Sequence, residues 1–196
     1  MAFMASSRLK SRLKKTMNFE QYVVVLDACV LVPMPLCDTL LRLAEEPAFY
    51  TPKWSGAILD EMRGAMVKKL GHSEESSAKR VEAMTLAFPE ALVDDYEGLI
   101  PAMTNHVKDR HVVAAAIRCG AHAIVTNNLK HFLPSSLEQS GIECVSADGF
   151  IEDQYHLNPD QFITILEQQA ADIEWTLPEL IAKHVPCLRR LIVIKN

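Results

Sequence analysis

Residues 22–31 read Tyr-Val-Val-Val-Leu-Asp-Ala-Cys-Val-Leu, and this stretch decides the fold. The five apolar residues from Tyr22 to Leu26 predict a strand that is buried on both faces, as in a parallel sheet. Asp27 follows at once, at the carboxyl end of the strand, where open α/β sheets place their ligand sites. Because aspartate also favours turns, the strand alone leaves a turn and a functional site equally open.

Length and composition restrict the class of protein. The chain has 196 residues, of which 49% are hydrophobic, so it can bury a sizeable core and is not of the disordered class. No segment approaches the roughly 18 uninterrupted apolar residues of a membrane span, and residues 1–17 lack the apolar centre of a secretory signal. The five cysteines form no C-x-x-C pair, which favours a reducing cytosol over disulfides or a zinc knuckle. We therefore expect a cytoplasmic protein without a membrane partner.

The charge is distributed unevenly along three predicted regions: a basic arm over residues 1–17, an α/β domain over 18–150 and a helical extension over 151–196. The arm carries five basic residues and no acid, so the rest of the chain sums to −10 although the whole chain has a formal charge of −5. An acidic body does not suggest a broad nucleic-acid-binding surface. The arm could contact phosphate groups or be a solvated tail.

Strands and helices alternate in the predicted α/β domain. After the first strand, apolar runs predict strands over residues 48–51, 91–93, 121–126 and 142–146, and helical periodicity predicts helices over 36–46, 56–70, 76–88, 109–119 and 134–140. Ser55 is the predicted N-cap of the second of these helices. The alternation favours a three-layer α/β/α fold with a mostly parallel central sheet, and the periodicity beyond residue 150 adds a helical C-terminal extension.

Two carboxylates stand out by their helical phase, taken at about 100° per residue. Glu61 falls at the edge of the apolar stripe of its helix, a position that suits a ligand and a surface glutamate equally well. Asp109 projects from the middle of the face that Val112 and Val113 bury. It could stabilise the helix N-terminus as a cap, but a cap turns back onto the backbone, so its inward phase favours a functional role.

Asp27, Asp109 and Asn128 all fall on the rim where strands end and helices begin, and Glu61 can reach it. Converging carboxylates repel each other unless a proton or a cation neutralises them. Oxygen ligands without histidine or cysteine spacing favour Mg²⁺ or Mn²⁺ over zinc, and such a site could activate water for attack on a phosphodiester. The seven histidines show no metal-ligand spacing, so we expect them at the surface or at the edge of the core.

Four separate stretches together resemble the PIN-domain ribonucleases, close to the VapC-like toxin type of bacterial toxin–antitoxin systems. None is specific by itself, but their order and spacing match the family over roughly residues 20–150 and, more loosely, through the helical tail. The resemblance implies a PIN-like α/β/α fold. The stretches are residues 25–31 (Val-Leu-Asp-Ala-Cys-Val-Leu), 54–62 (Trp-Ser-Gly-Ala-Ile-Leu-Asp-Glu-Met), 109–116 (Asp-Arg-His-Val-Val-Ala-Ala-Ala) and 124–132 (Ile-Val-Thr-Asn-Asn-Leu-Lys-His-Phe).

The resemblance also implies a metal-dependent endoribonuclease, with RNA as substrate, Mg²⁺ or Mn²⁺ as cofactor, a cognate antitoxin as partner and a possible homodimer. By the same resemblance, the metal ligands are Asp27, Glu61 and Asp109, Asn128 orients water or a ligand, and Ser55 and Thr126 are supporting hydroxyls. The catalytic set is thus Asp27, Glu61, Asp109 and Asn128.

Two positions depart from the family pattern. Cys29 stands where relatives often have asparagine, and Lys108 replaces one of a pair of acids. Cys29 and Asn128 favour the alternative function, a catalytically decayed PIN module that binds RNA or protein. An aspartyl-phosphate phosphatase also places an aspartate after its first strand, but it would need a second acid where Cys29 stands.

Overall fold

The computed structural model describes residues 22–138 and 140–188, so the predicted basic arm over residues 1–17 lies outside the described residues. Among the described helices, none has the length and apolar character needed to cross a membrane. The strands are β1 (Val23–Leu26), β2 (Thr51–Ser55), β3 (Leu92–Val93), β4 (Ala123–Val125) and β5 (Glu143–Val145). The α-helices are α1 (Ala28–Leu31), α2 (Met34–Ala44), α3 (Gly56–Leu70), α4 (Glu74–Ala87), α5 (Arg110–Arg118), α6 (Pro134–Leu137), α7 (Ala147–Leu157), α8 (Pro159–Asp172) and α9 (Leu177–His184).

The five strands form one parallel sheet in the order β3-β2-β1-β4-β5. The chain runs outward from β1 to β2 and β3, and then returns to add β4 on the other side of β1. The order of strands therefore reverses between β1 and β4, and ligands of open α/β sheets bind at such a switch point. Asp27 and Thr126 are the residues that directly follow these two strands.

The predicted class is confirmed: an α/β fold with a parallel sheet flanked by helices, followed by further helices at the C-terminal end. The strand predicted over residues 48–51 was wrong in position, since β2 spans Thr51–Ser55 and contains Pro52. Proline cannot donate to a sheet ladder and is expected only at an edge. The two-residue β3 pairs only with Trp54 and Ser55, so no strand among the described residues pairs with β2 on that side at the level of Pro52.

Apolar residues fill the sheet and both of its faces. Val24, Val25 and Leu26 of β1 are fully buried, as a doubly covered strand requires. In α5, Val112 and Ala116 are equally inaccessible, and the small alanine lets the helix approach the sheet closely. The buried face predicted for α5 is thereby confirmed at Val112, Val113 and Ala116, but Ile117, predicted on the same face, is 37% exposed.

The C-terminal helices share this core. Phe162 and Leu166 of α8 are fully buried, and the Phe162 ring packs edge-on against Phe49 with 6.3 Å between ring centroids. Residues 150 and 151 both lie within α7, so the chain passes the expected domain boundary inside a helix. The division into a domain and an extension stays a prediction.

Candidate active site

Asp27 lies in a buried cradle between the ends of β1 and β4. Its side chain is 2% exposed, and its Oδ2 atom accepts two hydrogen bonds from side chains. The Thr126 hydroxyl donates at 2.5 Å and the Cys29 thiol donates at 3.1 Å. Because both donors meet the same oxygen, they fix the orientation of the carboxylate.

Thr126 and Cys29 are themselves held by the backbone that follows β4. The amide of Asn128 donates to Thr126 Oγ1 at 3.0 Å, and the amide of Asn127 donates to Cys29 Sγ at 3.2 Å. Burial, and then the negative charge of Asp27, raise the pKa of the Cys29 thiol to about 11. The thiol therefore keeps its proton at neutral pH and remains a donor to Asp27.

Asp109 is 7% exposed and directly precedes α5, yet its side chain makes no capping hydrogen bond to that helix. Its Oδ2 atom instead lies 2.9 Å from Nδ1 of His131 and 3.3 Å from Nδ1 of His106. The capping alternative left open by the sequence therefore does not describe this side chain.

Glu61 is positioned by α3, whose two ends are well defined. The Ser55 hydroxyl accepts a hydrogen bond from the amide of Ile58 at 3.3 Å, which confirms the predicted N-cap, and Gly71 ends the helix in the left-handed conformation at φ 71°. The Glu61 carboxylate is half exposed, and its Oε1 lies 3.2 Å from Nε2 of His111.

His111 contacts Glu61 and interacts electrostatically with the two buried acids. Burial by itself lowers the pKa of this imidazole, but the hydrogen bond to Glu61 and the charges of Glu61, Asp27 and Asp109 together outweigh burial and raise it. The His111 Nδ1 atom is buried and has no hydrogen-bond partner among the described residues. The imidazole thus lies within the field of all three carboxylates.

The predicted acids line one open cavity of about 860 Å³. Asp27, Glu61, Asp109 and Asn128 all line it, so four predicted site residues come together. Thr126 and Ser55, the predicted supporting hydroxyls, are fully buried: Thr126 bonds to Asp27 and Ser55 caps α3. Other charged residues along the cavity are Asp60, Lys68, Lys69 and Lys108.

The electrostatics of Asp27 favour a bound cation. Burial, and then the charge of Asp109, raise the pKa of Asp27, while the hydrogen bonds from Thr126, Cys29 and the Ala28 amide oppose this change. None of the ion pairs among the described residues involves Asp27. Carboxylate oxygens and the Asn128 side chain are ligands that suit a hard dication such as Mg²⁺ or Mn²⁺, so the donor set fits that class of ion.

The sequence did not predict that three histidines would contact the acids of the site. His106, His111 and His131 are exposed or half-buried, as expected, but each also contacts a predicted acid. Two of them carried a local signal that could have been used, since His111 follows Asp109 by two residues and His131 follows Asn128 by three. His106 lies three residues before Asp109 and contacts it locally, whereas the strand order brings the distant His131 to the same carboxylate.

Comparison with curated proteins found a protein named "Putative ribonuclease VapC50" from Mycobacterium tuberculosis (strain ATCC 25618 / H37Rv). It is 52% identical to this chain over 62 residues, which are 32% of this chain and 37% of that protein. The matched stretch thus spans little more than a third of the relative's length. No family model matches the chain, and no solved structure gives a significant match. The predicted resemblance to VapC-like ribonucleases is confirmed over this stretch.

Proposed function

We propose that this protein is a Mg²⁺- or Mn²⁺-dependent endoribonuclease and the toxin of a toxin–antitoxin pair. One observation carries the proposal: Asp27, Glu61 and Asp109 line a single cavity at the point where the strand order reverses. The similarity to a protein named as a ribonuclease supports RNA as the substrate. The reaction is the hydrolysis of a phosphodiester bond.

Asp27, Glu61 and Asp109 would hold the metal, and Asn128 would orient water or a ligand without adding charge. A divalent cation supplies a water of lowered pKa and neutralises negative charge that develops on the phosphodiester. The two most buried acids, Asp27 and Asp109, are positioned by hydrogen bonds from neighbouring side chains. Glu61 is the most exposed of the three acids and lies nearest to solvent.

Other residues of the chain have distinct roles in this proposal. Thr126 and Cys29 fix the Asp27 carboxylate, and His111 holds the Glu61 carboxylate. Lys68 and Lys69 are exposed along the same cavity. Their charges would attract the phosphates of RNA and offset the repulsion between the acids and the substrate.

The toxin assignment brings a partner. A cognate antitoxin would occlude the cavity, for instance by inserting an arginine or lysine beside the acids. Such a cation would stabilise a buried carboxylate that has no cationic partner of its own. A homodimer and a cytoplasmic location belong to the same proposal. Co-expression with a candidate antitoxin, followed by co-purification, tests this part separately from the chemistry.

RNA cleavage by the purified full-length chain tests the chemistry. Cleavage should require Mn²⁺ or Mg²⁺ and stop in EDTA, and Asp27→Asn should abolish it while circular dichroism shows an unchanged fold. Asp94→Asn is a matched control, because it removes the charge of an exposed aspartate that does not line the cavity. If Asp27→Asn cleaves RNA as fast as the unmodified chain, the proposed mechanism is wrong.

The alternative is a decayed module that binds without cleaving, and Asn128 favours it because it supplies no charge. Metal binding separates the two functions. A working site that binds Mn²⁺ stabilises the folded state by about 2.7 kcal/mol when the ion is at 100 times its dissociation constant. Absence of both Mn²⁺-dependent stabilisation and cleavage would favour the binding module.

A further inference from the structure

We infer that His106, Asp109 and His131 form a second metal site, which binds a transition-metal dication of the Zn²⁺ class. The imidazoles of His106 and His131 present the same atom, Nδ1, to the same oxygen, Oδ2 of Asp109. Neither histidine is among the residues that line the acidic cavity. Asp109 is therefore shared between the cavity and this second cluster.

The distances within the cluster suit a tetrahedral ion. Asp109 Oδ2 lies 2.9 Å from one nitrogen and 3.3 Å from the other, and the three ligand atoms all lie within 4.8 Å of one another. Zinc bonds to nitrogen and carboxylate oxygen of about 2.0–2.1 Å separate neighbouring tetrahedral ligands by roughly 3.3 Å. Small side-chain movements would bring all three atoms to that separation.

Hydrogen bonding around His106 also favours a cation. Its Nδ1 atom accepts a hydrogen bond from the Lys108 amide at 3.4 Å, so this nitrogen carries a lone pair rather than a proton, and it lies 3.3 Å from Oδ2 of Asp109. A nitrogen that accepts from Lys108 cannot at the same time donate to Asp109, so the Asp109 oxygen receives no hydrogen bond from His106. A metal ion bound by both atoms would take the place of the long Lys108 hydrogen bond on Nδ1 and would give the Asp109 oxygen a cationic partner on that side.

The backbone of the cluster is already assembled, and only one ring has to move. The amide of His106 donates to the carbonyl of His131 at 3.2 Å, which ties together the two segments that carry the histidines. The rings are stacked at 4.1 Å with 14° between their planes, so one must tilt before both lone pairs point at one ion. The His106 side chain is 41% exposed and can tilt into solvent.

Two imidazole nitrogens and one carboxylate oxygen are ligands for Zn²⁺, Co²⁺ or Ni²⁺ rather than for Mg²⁺, which prefers oxygen. The partial exposure of His106 and His131 leaves room for water at the remaining position. A further consequence rests on the proposed function: a Zn²⁺ ion held by Asp109 would oppose Mg²⁺ or Mn²⁺ in the acidic cavity. The second site would then act as an inhibitory metal sensor.

Titration of the full-length Asp27→Asn chain with Zn²⁺ tests the site, because that substitution weakens the acidic cavity as a competing site. We expect one strongly bound Zn²⁺, with an affinity that falls at least about tenfold in His106→Ala and in His131→Ala. His72→Ala is the control, since it removes an exposed histidine outside the cluster. Equal Zn²⁺ affinity in all four proteins would overturn the inference.

Co²⁺ gives an independent readout, because tetrahedral Co²⁺ absorbs strongly in the visible range and octahedral Co²⁺ does not. The absorption should appear in the Asp27→Asn chain and disappear when His106→Ala is added. His106 is half exposed, so this variant should keep its fold, and a circular dichroism melt checks that it does. A tetrahedral Co²⁺ spectrum that survives His106→Ala would assign the ion elsewhere and reject the site.

A third measurement addresses the inhibitory role. In the unmodified chain, Zn²⁺ should lower the Mn²⁺ affinity of the acidic cavity, and His106→Ala should remove that effect. The first two experiments need neither RNA nor Mn²⁺, so a chain that binds Zn²⁺ but cleaves no RNA would refute the proposed function and leave the second site intact. A chain that cleaves RNA but binds no Zn²⁺ would refute the second site and leave the proposed function intact.

Discussion

Replacing Asp27 by asparagine should stabilise the metal-free protein. The ionised carboxylate is 2% exposed and has no ion-pair partner among the described residues, so the folded state carries an uncompensated charge. The effective cost of burying such an ion is several kcal/mol. Asparagine has the same shape and can place its carbonyl oxygen where Oδ2 accepts from Thr126 and Cys29.

The size of the effect follows from two opposing contributions. Removing the charge recovers part of the burial cost, about 2–3 kcal/mol, whereas hydrogen bonds to a neutral acceptor are weaker than those to a carboxylate by about 1 kcal/mol. The net gain is about 1–2 kcal/mol. For a chain of this size each kcal/mol raises the melting temperature by about 2–4 °C, so Asp27→Asn should melt roughly 2–8 °C higher in EDTA.

The change in stability caused by Asp27→Asn should also depend on pH. Burial raises the pKa of Asp27, so its protonated form is favoured by folding, and this contribution to stability is lost as pH rises through the folded-state pKa. The advantage of Asp27→Asn should therefore be present at neutral pH and shrink on acidification. Thermal unfolding followed by circular dichroism in EDTA, with Asp94→Asn as control, measures both. An Asp27→Asn chain that melts at or below the unmodified chain at neutral pH would refute the argument.

Two further substitutions test the surroundings of Asp27. Thr126→Val should lower the free energy of unfolding by about 2 kcal/mol, because it removes a donor to a buried carboxylate and the acceptor of the Asn128 amide. Urea unfolding measures this change. The control is Thr164→Val, at an exposed site, which should change the free energy of unfolding little. Lys69→Ala should weaken RNA binding and reduce the slope of log affinity against log salt by about one. Fluorescence anisotropy over a salt series measures it, and an unchanged slope would place the RNA backbone away from that side chain.

Local sequence patterns predicted several elements of the fold and the site correctly, because at those elements the preferences of the local sequence agree with the overall fold. The apolar run of β1, the Ser55 cap and the inward phase of Asp109 are each set within a few residues of the chain. Pro52 is an exception, because strand propensity does not reveal that, within the described part of the chain, the β3 side of β2 has no strand neighbour at Pro52. The strand prediction consequently stopped one residue before it.

The histidines around Asp109 show a different limit. No periodicity relates His106 to His131, since 24 residues and the whole of α5 and β4 separate them. The return of β4 to the inner side of the sheet brings the loop after it beside the start of α5. Contacts of that kind depend on strand order, which the alternation of helices and strands does not specify.

Cys29, one of the two positions that depart from the pattern of the ribonucleases the chain resembles, helps to hold Asp27 in place. An asparagine amide could donate to the carboxylate and its oxygen could accept from the backbone, and the thiol makes both kinds of bond, to Asp27 and from Asn127. With a pKa raised to about 11 it stays protonated and adds no negative charge to the site. Cys29 therefore no longer favours a decayed module. What remains in favour of that alternative is the missing charge of Asn128, and a missing charge weakens metal affinity without displacing any of the three acids. The decision between nuclease and binding module accordingly depends on how strongly the cavity binds Mn²⁺.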